Sequence, residues 1–419
     1  MTDFNDYLSY FKEVPKTGVI YVLEQATEMG YRPHLKEWAN LGQGAPDTAS
    51  LTPKKRDKNI LIDAENSEYS PVGGDVELRK RIAAYYNTFF RKDSLSKYTY
   101  KNVCIAGGGR IALARVIAAL GTINLGHFIP DYTAYEELLG VFKEFVSIPI
   151  LLSDKNCYKI SIEELRNEIV GRGLSALLLS NPSNPTGQLI KGDDLKQWID
   201  LSRELRSLMI IDEFYSHYIY DDSKDVSLVS ASEFIHDVNH DPVLIINGLS
   251  KNWRSPGWRV GWVVGPEEII ERVSSVGSFI DGGAAHPMQK EALNLLSLES
   301  VETEAKELQK VFSEKRTYML KRLKKMGFTI ECDPESTFYV WCNISSLPHQ
   351  INDCTAFFKE CLKENVIVVP GIFFDVNPGR RRLKHHSRYN NYIRVSFGPS
   401  MDELKVGLDS IQRVINKFK

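Results

Sequence analysis

Val243-Leu244-Ile245-Ile246-Asn247 runs through Gly248-Leu249 into Ser250-Lys251-Asn252-Trp253-Arg254-Ser255-Pro256-Gly257-Trp258-Arg259-Val260-Gly261. Its first part, rich in branched apolar side chains, reads as a buried strand, and the glycines, serines and proline beyond it read as a turn. A lysine stands behind small residues, with a serine before it and an arginine eight positions on. A lysine amine attacks carbonyls when its surroundings lower its pKa, and a nearby cation helps to lower it. An arginine offers a planar fork to a phosphate. Surface loops often hold the same residue types, so the reading depends on what flanks the stretch.

Six further apolar runs lie outside it: Val103–Ala106, His127–Pro130, Phe145–Ile150, Ala176–Ser180, Leu208–Asp212 and Val260–Val264. Most are separated by segments of helical length, among them Ile111–Leu120, Tyr135–Phe142, Ile162–Ile169 and Leu195–Leu205. Short runs alternating with helices predict an α/β fold, a buried, mostly parallel seven-stranded sheet with helices on both faces. Ligands of such sheets sit beyond the carboxyl ends of the strands. A helix is expected from about Val76 to Phe90, and Gly18 to Gly30 is a short amphipathic stretch.

Past residue 264 the pattern changes. A long helical region is expected from His286 to Lys325, then strands at Phe338–Cys342, Val366–Val369 and Tyr392–Phe397, with helices at Thr355–Lys363 and Met401–Lys417. We divide the chain into a segment 1–60 that joins a small α+β domain, a large domain 61–299, and the small domain 300–419.

At 419 residues the chain is long enough for this plan, and 43% hydrophobic residues is too many for disorder. Lys and Arg total 52 against 54 Asp and Glu, a net charge of -2, so a general nucleic-acid binder is not expected. Nothing approaches a membrane span, and the first residues lack the basic start and apolar run of a secretion signal. The six cysteines form no CxxC pair and read as reduced thiols of a cytoplasmic protein. A regulator would need a DNA-binding module, and no basic helix-turn-helix pattern precedes Val103.

Most of the chemistry-bearing stretches fall at strand ends. Gly107-Gly108-Gly109-Arg110 opens a helix after the first strand, where bare N–H groups can face a phosphate. Pro130-Asp131-Tyr132-Thr133-Ala134-Tyr135 follows the second and offers an aromatic ring to stack on a flat ligand. Asn181-Pro182-Ser183-Asn184-Pro185-Thr186-Gly187 is a doubly Asn-Pro-constrained turn that holds Asn184 at the sheet edge. Asp212 emerges from an apolar strand and needs a cationic partner, and Tyr215 follows three residues later. Arg394 sits inside the apolar strand Tyr392–Phe397 with no carboxylate neighbour in sequence, which suits either a substrate carboxylate or a distant ion pair. The small residues around Gly42–Gly44 let backbone approach a ligand.

In order and spacing these stretches resemble the class I/II aminotransferases among the fold-type-I pyridoxal phosphate enzymes, over essentially the whole chain. The resemblance implies that Lys251 holds pyridoxal 5'-phosphate as an aldimine and shuttles the substrate proton. It implies that Asp212 pairs with the ring nitrogen, Asn184 and Tyr215 contact the ring hydroxyl, and Tyr132 stacks on the ring. Gly108, Gly109, Arg110, Ser250 and Arg259 would surround the phosphate, with Tyr69 reaching in from the other subunit of a homodimer. Arg394 would hold the substrate α-carboxylate, with Gly44 and Asn184 close by. The implied reaction moves an amino group from an L-amino acid to a 2-oxo acid by a ping-pong route. Elimination, or oxygen-dependent chemistry on an arginine-like amino acid, uses the same lysine and aspartate.

Four departures stand out, the first being Gly107-Gly108-Gly109-Arg110, an unusual version of the phosphate turn. Gly248 occupies a position where many relatives carry serine. Arg254 and Ser255 replace small and apolar residues, so that Arg254 adds charge near the site or points to solvent. The basic run Arg380–Arg388 reads as a solvated loop, or as an entrance loop that attracts anions.

Overall fold

The computed structural model describes residues 10, 14, 16, 18–33, 35–47, 60, 62–142, 144–221, 226–383 and 387–419. The chain begins with helix α1 (Gly18–Glu28) and a short strand β1 (Ala39–Asn40), followed by α2 (Val76–Phe89). Asp75 starts α2 by accepting the Leu78 N–H at 3.0 Å. Then strands and helices alternate: β2 (Val103–Ala106), α3 (Gly109–Ala118), β3 (Asn124–Ile129), α4 (Ala134–Val141), β4 (Val146–Leu151), α5 (Ile162–Arg172), β5 (Ala176–Ser180), α6 (Gly192–Leu205), β6 (Leu208–Asp212), β7 (Val243–Gly248) and β8 (Gly261–Val264).

All seven expected runs form one sheet, in the order β2-β8-β7-β6-β5-β3-β4. The pairs β3–β4, β3–β5, β5–β6 and β6–β7 are parallel, while β8 runs antiparallel to both of its neighbours. Alternate residues enter opposite cores. Cys104, Ala106, Leu178 and Ile210 pack on one face with α3, α4 and α7 (Glu267–Ile280). Val103, Ile105, Leu177 and Ile211 pack on the other with α2, α5 and α6. Coverage on both sides accounts for the continuous apolar runs of the inner strands, whereas the edge strand β4 keeps Val146 and Leu151 exposed.

The rest of the chain comprises α8 (His286–Leu295), α9 (Val301–Met326), β9 (Tyr339–Asn343), α10 (Cys354–Lys363), β10 (Val366–Ile367), β11 (Val369–Pro370), β12 (Tyr392–Ser396) and α11 (Met401–Asn416). Strands β11, β12 and β9 form an antiparallel sheet, and β1 pairs in parallel with β10, tying the N-terminal segment to this region.

Four expectations need correction. The helical stretch His286–Lys325 is two helices parted at Leu296–Ser300, where the Ser300 hydroxyl bonds the Ser297 carbonyl at 3.2 Å and competes with helical pairing. Helix α7 lies before that stretch and was not anticipated there. The run Val366–Val369 divides at Val368 between two sheets, which its uniform apolarity could not reveal. Lastly, the cysteines are not all thiols: Cys157 and Cys332 form a disulfide across 175 positions of sequence. Such a separation leaves no spacing signal; folding brings the loop before α5 against the segment following α9. Cys104, Cys342, Cys354 and Cys361 are free and buried. No described helix is long and apolar enough to cross a membrane.

Alkylation of the denatured, unreduced protein should therefore label four cysteines, rising to six after reduction, as read by intact mass. Six labels without reduction would refute the pairing.

Candidate active site

The parallel strands β2, β3, β5, β6 and β7 end at one edge of the sheet, and the singled-out stretches meet there. All the candidate residues except Gly108 and Tyr69 line one cavity of about 430 Å³. Lys251 lies on the excursion between β7 and β8. That loop is closed by Leu249 N–H to the Val260 carbonyl at 3.0 Å and Ser255 N–H to the Leu249 carbonyl at 2.9 Å. The Tyr218 hydroxyl donates to the Lys251 carbonyl at 2.9 Å, and Asn252 bonds Ser216 and Asn247 at 2.9 and 3.1 Å. The lysine backbone is thus fixed from behind and only its side chain faces the cavity, where the amine donates to the Gly44 carbonyl.

Burial pulls the Lys251 amine down to about 7, helped by the charges of Arg394, Arg110 and Arg259 and opposed by Asp212. Burial likewise pushes Asp212 up to about 6, while the Phe214 N–H, the Tyr135 hydroxyl and the Lys251 charge hold it down. Tyr135 donates to Asp212 Oδ2 at 3.0 Å. A largely ionised carboxylate therefore sits on the cavity floor, ready to pair with a cationic ring nitrogen.

At the opposite end the chain builds an anion cradle. Gly108 has φ 91 at the N-terminus of α3, and a side chain there would run into the Arg259 guanidinium. Arg259 is anchored by the Pro256 carbonyl at 2.9 Å and the Gly107 carbonyl at 3.3 Å. With Ser250 on the lining, and Gly109 and Arg110 there at the N-terminus of α3, these groups match a phosphate. Arg110 donates to the Tyr132 hydroxyl at 3.2 Å, positioning that ring at the wall.

Across the cavity Arg394 is 1% exposed. It donates to Asn184 Oδ1 at 2.8 Å and to the Gly42 carbonyl at 2.9 Å, while its buried Nε finds no protein partner. This favours the substrate-carboxylate option for Arg394 over the structural ion pair, because the acceptors it has are neutral and leave its charge uncompensated.

The departures resolve as well. A side chain at Gly248 would meet the Val260 carbonyl at 2.7 Å and the Gly261 Cα at 2.8 Å, so the strand pairing itself excludes serine. Arg254 is 7% exposed and buried beside Tyr218, so it neither points to solvent nor lines the cavity. Arg380 and Arg382 pair with Glu137 and Asp375 at 3.0 and 2.6 Å, which ties two charges of the basic run to the fold; Lys384–His386 lie outside the described residues. Tyr69 is 97% exposed in the single chain, away from the cavity.

Two tyrosines were not assigned from sequence. Tyr135 reaches Asp212 from α4, one turn beyond Tyr132, and that spacing was the available signal. Tyr339 bonds the Tyr215 hydroxyl at 2.8 Å from strand β9, and only the tertiary structure brings them together.

The family model for aminotransferase class I and II matches residues 36–411. This chain belongs to that family. Its aminotransferase activity depends on pyridoxal phosphate, and the reactive amine, the floor carboxylate and the anion cradle are a donor set that fits this cofactor. The aspartate aminotransferase of Pyrococcus horikoshii is 25% identical over 97% of this chain and 96% of its own. A (5-formylfuran-3-yl)methyl phosphate transaminase of Methanocaldococcus jannaschii is 27% identical over 91% of this chain and 92% of its own. Among solved structures, a double mutant of Thermus thermophilus aspartate aminotransferase superposes with a TM-score of 0.79 at 22% identity, over 99% of this chain and 100% of that one, a likeness of fold.

Because the neutral amine is the nucleophile, capture of pyridoxal phosphate by the apoprotein should accelerate as pH rises through about 7. A stopped-flow midpoint close to that of free lysine would mean that the amine is solvated.

Proposed function

We propose that this aminotransferase moves the amino group of an L-amino acid to a 2-oxo acid in two half-reactions at one cavity, with Lys251 as the residue that binds the cofactor and carries the proton. The observation that carries this reading is the half-neutral Lys251 amine held between the floor carboxylate of Asp212 and the guanidinium of Arg394. The cofactor supplies an electron sink for the pair left behind when the substrate loses its α-proton.

Each residue's part follows from its surroundings. Asp212 keeps a proton on the ring nitrogen, so that the sink is cationic when it is needed. Asn184 and Tyr215 hold the ring hydroxyl, and Tyr132 covers one ring face. Gly108, Gly109, Arg110, Ser250 and Arg259 retain the phosphate. Arg394 grips the α-carboxylate through a planar fork, which aims the α-hydrogen at Lys251. The Lys251 amine, neutral near pH 7, takes that proton and returns it to the neighbouring carbon. Gly44 has no side chain to obstruct the amine, and its carbonyl accepts from the amine when that is not bonded to the cofactor.

A homodimer supports the cradle in this reading: Tyr69, bare in one chain, would be covered by a second copy and reach its phosphate. We further propose that residues 61–299 carry the cofactor, while 1–60 and 300–419 bring Arg394 and Gly44 to it. A cytoplasmic location goes with this proposal.

The decisive experiment is an anaerobic half-reaction screen of the holoenzyme against common L-amino acids, beginning with aspartate. Formation of pyridoxamine phosphate with the matching 2-oxo acid is expected, and ammonia release without it would overturn the reading. Lys251→Ala should lose both the yellow chromophore and turnover. Arg394→Ala should raise the KM for the amino donor by about 10- to 100-fold, the worth of a charge-assisted pair. An unchanged KM would remove Arg394 from the carboxylate site.

A further inference from the structure

Tyr339 stands where the two halves of the site meet, and neither half accounts for it. Strand β9 pairs antiparallel with β12, with Trp341 opposite Arg394 and Tyr339 opposite Ser396. Tyr339 and Arg394 are therefore diagonal neighbours on one face of the sheet, close enough for an aromatic ring and a long side chain to touch. The Arg394 guanidinium carbon lies 4.0 Å from the centre of the Tyr339 ring. The ring of Phe374 lies 5.0 Å from that carbon, so the fork is sandwiched and its plane is set by aromatic surfaces.

The other end of Tyr339 faces a different group. Its hydroxyl is 2.8 Å from the Tyr215 hydroxyl, which projects from the sheet end that carries Asp212. A Cβ added to Gly44 would stand 2.9 Å from the Tyr339 hydroxyl and 3.8 Å from the Lys251 amine. The hydroxyl thus lies at the point where Tyr215, Gly44 and Lys251 converge. The residue is fully buried, so that ring and hydroxyl have no solvent alternative.

We propose that Tyr339 is a positioning residue with two separable parts, its ring fixing Arg394 for the substrate carboxylate and its hydroxyl donating to Tyr215 so that Tyr215 presents its own proton to the ring hydroxyl of the cofactor. This rests on the transamination reading above. Burial raises both phenols, Tyr215 the further of the two, while the Arg394 guanidinium over the Tyr339 ring draws Tyr339 back down, which makes Tyr339 the better donor of the pair. Relayed donation withdraws charge from the cofactor oxygen and lowers the proton affinity of the lysine–cofactor nitrogen beside it. Losing the Tyr339 hydroxyl raises that affinity, and losing the ring releases Arg394.

Two variants of the holoenzyme separate the parts. In Tyr339→Phe the pH midpoint of the lysine–cofactor absorbance should move up by about 0.5 to 1, as one hydrogen bond is worth about 1 kcal/mol. The KM for the amino donor should stay within about 2-fold of the parent, because the phenyl ring still carries the cation–π contact. In Tyr339→Leu the midpoint should move likewise, and the KM should rise by about 5- to 30-fold as that contact is lost. A residue that merely packs would lower thermal stability without moving the midpoint.

A Tyr339→Phe midpoint equal to or below that of the parent overturns the hydroxyl role, and a folded Tyr339→Leu with parental KM overturns the ring role. Should Tyr339→Leu not fold, the Tyr339→Phe midpoint decides the proposal alone. A parent that forms no pyridoxamine phosphate in the half-reaction screen would overturn the transamination reading, and this proposal with it; a parent that passes that screen but whose Tyr339→Phe midpoint is unmoved overturns this proposal only.

Discussion

The site depends on taking the Lys251 amine out of water. A charged ammonium is costly in a cavity of low polarity, and three guanidinium groups nearby add to that cost. The protein lowers it by releasing the proton, which brings the amine to about 7. The geometry around the lysine serves this state. The backbone loop is closed at Leu249 and Val260, Asn252 and Tyr218 hold it from behind, and the side chain has one direction left. Asp212 opposes the shift, and it too is moved by burial. Two groups in one buried site are thereby drawn toward neutral pH from opposite sides, the pattern expected where protons are exchanged.

A second constraint crosses the seam between the seven-stranded sheet and the β9–β12 sheet. Among the contacts that span it at the cavity are those of Lys251 to Gly44, Arg394 to Asn184, and Tyr215 to Tyr339. Each joins a group at a strand end of the large sheet to one on the C-terminal sheet or the N-terminal segment. The pairing of β1 with β10 holds the N-terminal segment in place for the first of them. The disulfide between Cys157 and Cys332 and the ion pair of Lys159 with Glu335 at 2.8 Å tie the same two regions together outside the cavity. Placement of Arg394 is thus a property of the whole chain, not of its strand.

Local reading succeeded where one segment carries its own physical signal. The inner strands were legible because a strand buried on both faces must be apolar throughout, as Leu177, Leu178 and Leu179 are; the edge strand β4 is apolar yet partly exposed. The turns after β2, β5 and β7 were legible because glycine, Asn-Pro steps and a lysine among small residues have few other uses in combination. Reading failed where the signal is shared between segments. The division at Val368 follows from two different partner strands, and the Cys157–Cys332 bond from two loops far apart in sequence. Arg254 resembled a surface or site charge, and its burial comes from the left-handed turn at φ 52 that folds it beneath the loop.

The residue string alone therefore establishes the α/β class and singles out Lys251, Asp212, Asn184 and Arg394, which the fold gathers at one cavity. Each follows from periodicity or from a residue type that is costly to bury without a purpose. Tertiary structure alone decides the electrostatics and the pairing of partners. It brings Tyr135 to Asp212 and Tyr339 to Tyr215, it neutralises Arg380 and Arg382, and it draws the lysine amine to about 7. Desolvation and hydrogen bonding act at distances of a few ångströms between residues hundreds of positions apart, and only the folded chain creates those distances.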